Sequence, residues 1–233
     1  MPRSTPMSSA GRPAANKERD ARELLLHAAT DLFALHGIAG TTFAMIAKRA
    51  GLTPAMVHYY FEDRERLLDA VVDERFMRFV LHIWGPVRPE VDAVEMIQGL
   101  VERALDGIEQ MPWVPSIWVR EVLNEGGLLR ERMLRRFPLD KARLLGEAIS
   151  RGQREGSLNP EVDPLLMGSS TLGLVMLHMA TLTTWAKAFQ KEPPARRALQ
   201  RHITGLLLDG LCHKRASKPK AIPRRKKLWT QQR

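Results

Sequence analysis

The sequence predicts an all-α fold, on three observations. Apolar residues recur at 3.6-residue spacing in one segment after another. Alternating runs rich in Val, Ile and Thr, the mark of strands, are absent. Gly and Pro fall between the periodic stretches, where they punctuate rather than interrupt. A chain of 233 residues, 44% hydrophobic, is long enough for a small domain joined to a larger packed one. No internal repeat is evident.

Residues 1–16 hold Pro2, Pro6, Gly11 and Pro13 among Ser and Ala, which predicts a flexible arm. The first helix is expected from Lys17 to His36, with Leu25, Ala28, Ala29, Leu32 and Phe33 on one face and Gly37 as its left-handed stop. A short helix, Phe43 to Ala50, follows behind Thr42 as N-cap. Gly51-Leu52 makes a tight turn. Thr53 as N-cap and Pro54 at the first helical position start a third helix, which ends near Tyr60 or Phe61. Asp63 caps a fourth, Arg64 to Ile83, with Leu67, Leu68, Val71, Val72, Phe76 and Phe79 on one face; Trp84-Gly85-Pro86 breaks it.

The body is expected to hold helices at Val91–Gln110, Trp113–Asn124, Leu128–Phe137, Leu139–Glu155, Pro164–Phe189 and Ala195–Lys214. Gly126-Gly127, Pro138, Asn159-Pro160 and Pro193-Pro194 separate them, although Pro138 either divides two helices or kinks one. The breaks delimit an arm (1–16), a three-helix unit (17–62), a helical body (63–212) and a tail (213–233).

Charge is placed unevenly. The net charge is +10, and the tail holds nine of the 36 Lys and Arg and none of the 26 Asp and Glu. The rest of the chain is close to neutral. A basic, proline-containing tail is expected to be disordered and drawn to polyanions, whether DNA, RNA or an anionic membrane. Cys212 is the single cysteine, which excludes an internal disulfide and fits a reducing cytoplasm. No signal peptide is expected from the polar start of the chain. Leu165 to Trp185 approaches membrane-spanning length, but its Ser, Thr and His residues predict a buried helix instead.

Enzyme signatures are missing: there is no G-x-S-x-G, P-loop, glycine-rich dinucleotide turn or H-E-x-x-H. Glu121, Glu125 and Glu131 lie near arginines and are expected to form solvated ion pairs. The seven histidines show no metal-ligand spacing with Cys or acids, so neither metal nor cofactor is expected.

The informative segment is TTFAMIAKRAGLTPAMVHYYF, Thr41 to Phe61. Its two short helices and glycine turn form a helix-turn-helix. Ile46, Ala47, Ala50, Leu52, Val57 and Phe61 are spaced to pack inward. Pro54, Ala55, Met56, His58, Tyr59 and Tyr60 are left outward. Small residues at that helix start admit a close approach to nucleic acid, and its amides favour a phosphate. Thr42, Lys48, Thr53, Tyr59, Tyr60 and Arg64 can contact backbone oxygens. Met56 and His58 are placed to meet base edges. The bland alternative is a structural hairpin whose aromatics simply pack.

LFALHG (Leu32–Gly37), the segment above and EDRERLLDAV (Glu62–Val71) together resemble the tetracycline-repressor (TetR) family, over roughly Lys17 to Val72. The resemblance implies a cytoplasmic, bacterial, homodimeric transcriptional regulator. In it, three N-terminal helices form a helix-turn-helix domain that binds double-stranded DNA. A C-terminal helical domain binds a small-molecule effector and dimerises through its last two long helices. Thr42, Thr53, Ala55, Met56, Tyr59, Tyr60 and Arg64 fall where family members touch DNA. Arg64 stands where Lys is usual, and His58 where Tyr is frequent. Two-fold symmetry implies a palindromic operator read by helices about 34–36 Å apart. Arg3 and Arg12 are placed to follow a minor groove. In the body, Trp84, Met111, Trp113, Trp118, Met133, Met176, Met179 and Trp185 are large and adaptable, and they point to a hydrophobic effector that releases a repressor.

Overall fold

The computed structural model describes residues 14–212. The predicted tail, Arg3, Arg12 and most of the predicted arm lie outside the described residues. Among those described, every regular element is helical, and the one strand-like pairing is an isolated bridge between Leu158 and Cys212.

Helix α1 (Ala14–His36) begins before the expected Lys17, so the end of the predicted arm is helical. It stops at Gly37, whose φ of +74° is the left-handed value predicted for it. Then come α2 (Phe43–Ala50) and α3 (Pro54–Phe61). Leu25, Ala28, Ala29, Leu32 and Phe33 of α1 are buried against Ile46, Ala47, Val57 and Phe61, which unites the three helices in one core.

The expected fourth helix, Arg64 to Ile83, is one unbroken run with an irregular middle. It comprises α4 (Arg64–Val71), a π-helical turn π1 (Val72–Phe76) and α5 (Met77–Trp84), and the backbone stays right-handed helical at both junctions. A π turn widens the helix by one residue, and such turns concentrate at functional positions. The predicted apolar face (Leu67, Leu68, Val71, Val72, Phe76 and Phe79) is buried throughout.

Helix α6 (Ala93–Gln110) is the centre of the body and packs against α5, α9 (Leu139–Arg154), α10 (Pro164–Ala188) and α11 (Arg196–Leu211). It buries Met96, Ile97, Leu100, Val101, Leu105 and Ile108, each contributing roughly 1.5–3 kcal/mol relative to exposure. Gly107 admits Phe79 of α5: a Cβ there would sit 2.8 Å from the ring.

One expectation changes in the body. The helix expected over Trp113–Asn124 is a short α7 (Val114–Ile117) running into a second π segment, π2 (Trp118–Leu123). Pro115 stands in the first turn of α7, where an N–H has no intrahelical acceptor, so it starts the helix without interrupting it. Pro138 divides α8 (Arg130–Arg136) from α9. Phe137 is extended at φ −67° and ψ 134°, the conformation that a following proline's ring enforces.

The expectation that Leu165 to Trp185 is a buried helix is overturned within the protomer. Leu165, Leu166, Leu177 and Trp185 of α10 are exposed, and 28% of its most apolar stretch is buried. Alone among the described residues, this helix is long and apolar enough to cross a membrane. It is apolar on more sides than one protomer covers.

Candidate nucleic-acid interface and effector site

Local rules build the α2–α3 unit. Thr42 is extended, and its hydroxyl accepts from Met45 N–H at 3.3 Å. Gly51 turns the chain at φ +70°, and the Leu52 N–H donates to Ala47 C=O at 2.9 Å. Thr53 is extended before Pro54, but its hydroxyl accepts no capping bond, and the Met56 N–H donates to the Thr53 backbone C=O at 3.0 Å instead. That hydroxyl is exposed and open to an outside partner.

Burial fixes which residues face outward. Thr42, Lys48, Thr53, Pro54, Ala55, His58 and Tyr59 are exposed, Tyr59 at 72%. Met56 and Tyr60 are half-buried. Tyr59 and Tyr60 meet edge to face at 5.1 Å, and His58 packs on Phe43 at 4.8 Å with Nδ1 3.1 Å from Glu62 C=O. The surface is therefore small at the start of α3, aromatic along it, and flanked by the cation of Lys48.

Arg64 departs from expectation. Its guanidinium donates to Thr41 C=O at 2.9 Å and to Ile38 C=O. The α1–α2 connection is folded inward, with Ile38 and Thr41 buried; Ile38 C=O accepts from Thr41 N–H at 3.1 Å, and Thr41 C=O takes its donor from a side chain. Arg64 supplies that pairing, so its charge is turned inward to the connection rather than outward beside Tyr59.

Glu121 of π2 holds the same connection from the body. Its carboxylate accepts from Ile38 N–H at 3.1 Å and from Leu128 N–H at 3.2 Å. The Ile38 peptide is thus gripped on its N–H by the body and on its C=O by α4. The expectation of a solvated Glu121 ion pair is corrected: a carboxylate near two unpaired amides binds them more tightly than it binds a mobile arginine. Glu131, by contrast, is exposed and lies 3.6 Å from Arg135.

The turn π1 is clamped to α1. Arg22 pairs with Glu74 and lies over the Phe61 ring at 5.2 Å, so one side chain touches both π1 and the end of α3. The bond to Glu74 raises the Arg22 pKa. Arg75 donates to the Glu23 carboxylate at 2.7 Å, and this bond holds Glu23 below the ordinary carboxylate range. On the other side, Arg132 of α8 pairs with Glu65 and Asp69, and Arg136 with Asp69 and Asp73. Acids four residues apart on the connecting helix meet arginines four apart on α8.

The eight residues expected around an effector are not gathered into one site. Trp84, Met133 and Met176 are buried in the core, with Trp84 edge-on to Phe137 at 5.5 Å. Trp118 and Met179 are half-buried at its margin. Trp185 is exposed and stacked on Phe189, beside a shallow apolar depression at the end of α10. Only Met111 and Trp113 are brought together, in a cleft of about 500 Å³ between α1, the π1–α5 segment and the α6–α7 turn.

Comparison with known proteins follows this geometry. Residues 25–71 match the family described as bacterial regulatory proteins, tetR family, a span that runs from mid-α1 to the end of α4. That stretch is a tetR-family segment. Among its tetR-type relatives, the HTH-type transcriptional regulator SrpR of Pseudomonas putida is 25% identical over 147 residues, covering 61% of this chain and 67% of the relative. Many solved structures share the fold, two of them with a bound acyl-CoA. One is FadR of Bacillus subtilis in complex with stearoyl-CoA, with a TM-score of 0.59, 19% identity, and 81% of this chain and 98% of that one covered. The other is AibR in complex with isovaleryl coenzyme A and operator DNA, with a TM-score of 0.63, 20% identity, and 80% and 97% covered. The family match ends before π1, so clamps, cleft and effector residues lie largely beyond it.

Proposed function

We propose that this protein is a sequence-specific DNA-binding repressor, released from a palindromic operator by a small hydrophobic effector. The observation that carries this reading is the outward face of α2 and α3. A small helix start, an uncapped Thr53 hydroxyl, exposed Tyr59 and Lys48 are presented together on a unit whose other side is core. Thr42, Lys48, Thr53, Tyr59 and Tyr60 contact phosphates, while Pro54 and Ala55 let the helix backbone approach and Met56 and His58 meet base edges. Arg64 leaves this set and acts by holding the α1–α2 connection.

The repressor acts as a homodimer through α10 and α11. A second copy covers the exposed apolar side of α10, where Ser169, Ser170, Thr183 and Thr184 are also exposed and would be poorly solvated by lipid. Its place is the cytoplasm, and its action involves no catalysis and no resident cofactor or metal. FadR and AibR were each solved with an acyl-CoA, and this supports an effector with an apolar part.

Release is a coupling between two sites. The effector weakens DNA binding only by its differential affinity for the two arrangements. The connecting helix is the element that both sites share: clamped to α1 at π1 and to α8 at Arg132 and Arg136, it carries a body rearrangement to α3.

Selection from a random DNA pool with the full chain tests the reading. An inverted repeat bound in excess competitor is the expected result. Failure to enrich any sequence overturns specific readout.

A further inference from the structure

We propose that the cleft between α1 and the connecting helix binds a compact organic anion, an aromatic carboxylate, and that this anion is the releasing effector. The inference rests on the repressor reading and deepens it by naming the effector's site and chemistry.

Three features of the cleft carry it. The first is size: about 500 Å³ falls within the range of small-molecule sites. The second is an apolar wall confined to Met111, Pro112 and Trp113, with Trp113 fixed edge-on to Phe76 of π1 at 5.0 Å. Such a wall fits one or two rings and is too short for a long acyl chain. The third is the charge opposite that wall. That charge is Arg75 and Arg78; the imidazoles of His27 and His82 line the cleft beside them, and the Asp31 carboxylate there is engaged by Arg49 at 3.1 Å and lies 3.8 Å from His27. The Arg78 guanidinium makes no hydrogen bond among the described residues, and its charged neighbour there is Glu23, which Arg75 already holds.

Arg75 supplies the link to release. Two of its nitrogens donate to Glu23, to the carboxylate at 2.7 Å and to the backbone C=O at 3.2 Å. Its buried Nε has no acceptor. Planar guanidinium groups hold carboxylates by two parallel bonds. A carboxylate between Arg78 and Arg75 competes with Glu23 for Arg75 and brings an acceptor to the donor set that is left incomplete. Drawing Arg75 from Glu23 loosens α1 from π1, and α1 carries the helix-turn-helix.

Calorimetry with the full chain and three probes of one shape tests this: 2-naphthoate, 2-naphthol and 2-naphthylmethylammonium. Saturable binding of 2-naphthoate is expected, roughly tenfold or more tighter than either analogue. Arg78→Gln, an exposed substitution that leaves the fold intact, should weaken it by a similar factor, and Arg88→Gln, outside the cleft, should not. The proposal is overturned if 2-naphthoate shows no saturable binding at millimolar concentration, if the ammonium probe binds equally well, or if Arg78→Gln changes nothing. DNA selection is read separately. Specific DNA binding without naphthoate binding sinks the cleft and spares the repressor; naphthoate binding without specific DNA binding does the reverse.

Discussion

Replacing Glu121 measures how firmly the body holds the helix-turn-helix. In Glu121→Ala, the Ile38 and Leu128 amides both lose a charged acceptor, at 3.1 and 3.2 Å. A hydrogen bond to a charged group contributes about 1.5–3 kcal/mol, and Glu121 is half-buried, so the lower end applies to each. Ile38 is fully buried and water cannot replace the lost acceptor. The expected loss is about 3 kcal/mol. Glu121→Gln keeps one carbonyl oxygen but turns an NH2 group toward the other amide, so it should lose about half as much. Arg120→Ala is the internal control: its bond to Leu35 C=O is long, 3.3 Å, and exposed. Urea unfolding at fixed protein concentration is the assay, because a dimer's stability depends on concentration. In thermal terms, about 3 kcal/mol corresponds to roughly 6–12 °C for a chain of this size. An alanine variant within about 0.5 kcal/mol of the parent chain, the range of ordinary surface substitutions, would refute the reasoning.

Four further outcomes follow from the geometry. Arg64→Ala should cost about 1–3 kcal/mol in urea unfolding, because it takes the side-chain donor from Thr41 C=O and leaves Ile38 C=O with the Thr41 N–H alone, while leaving the salt dependence of DNA binding intact. Lys48→Ala should do the opposite, with stability unchanged and the salt slope falling by about 1 per protomer. Gly107→Ala places a Cβ 2.8 Å from the Phe79 ring; overpacking of about 1–3 kcal/mol should exceed the helix-propensity gain of about 1, and a lowered melting midpoint checks it. The Glu23 carboxyl is held low by Arg75, so its contribution is present at neutral pH and lost as pH falls through its folded-state pKa. The gap in urea midpoint between the parent chain and Glu23→Gln should therefore close in acid.

What the sequence disclosed divides along the range of the interactions. Gly37, Gly51, Thr42 and Asp63 act on neighbours within a few residues, and their turns and caps stand where local chemistry puts them. The core faces of α1 and the connecting helix were legible for the same reason: periodicity is a local signal. The π turns were not, because their apolar pattern remains close to that of a regular helix. Arg64 was read as an outward cation, since nothing nearby in sequence reveals that the α1–α2 carbonyls need a donor. Glu121 and Ile38 are 83 positions apart, beyond any pattern argument. The effector residues failed to assemble because large Met and Trp side chains serve a core as readily as a cleft. Met111 and Trp113 alone line one together, and the arginines opposite them carry no apolar signal at all.

The central claim is that α2 and α3 read DNA on behalf of a two-fold dimer. Selection from a random DNA pool, repeated with Tyr59→Ala and Lys48→Ala, tests it most directly. The account predicts an inverted repeat for the parent chain and weakened recovery of that same repeat by both variants, with their unfolding curves unchanged. A pool without symmetry, or variants that bind as the parent chain does, would contradict it and move nucleic-acid binding away from this face.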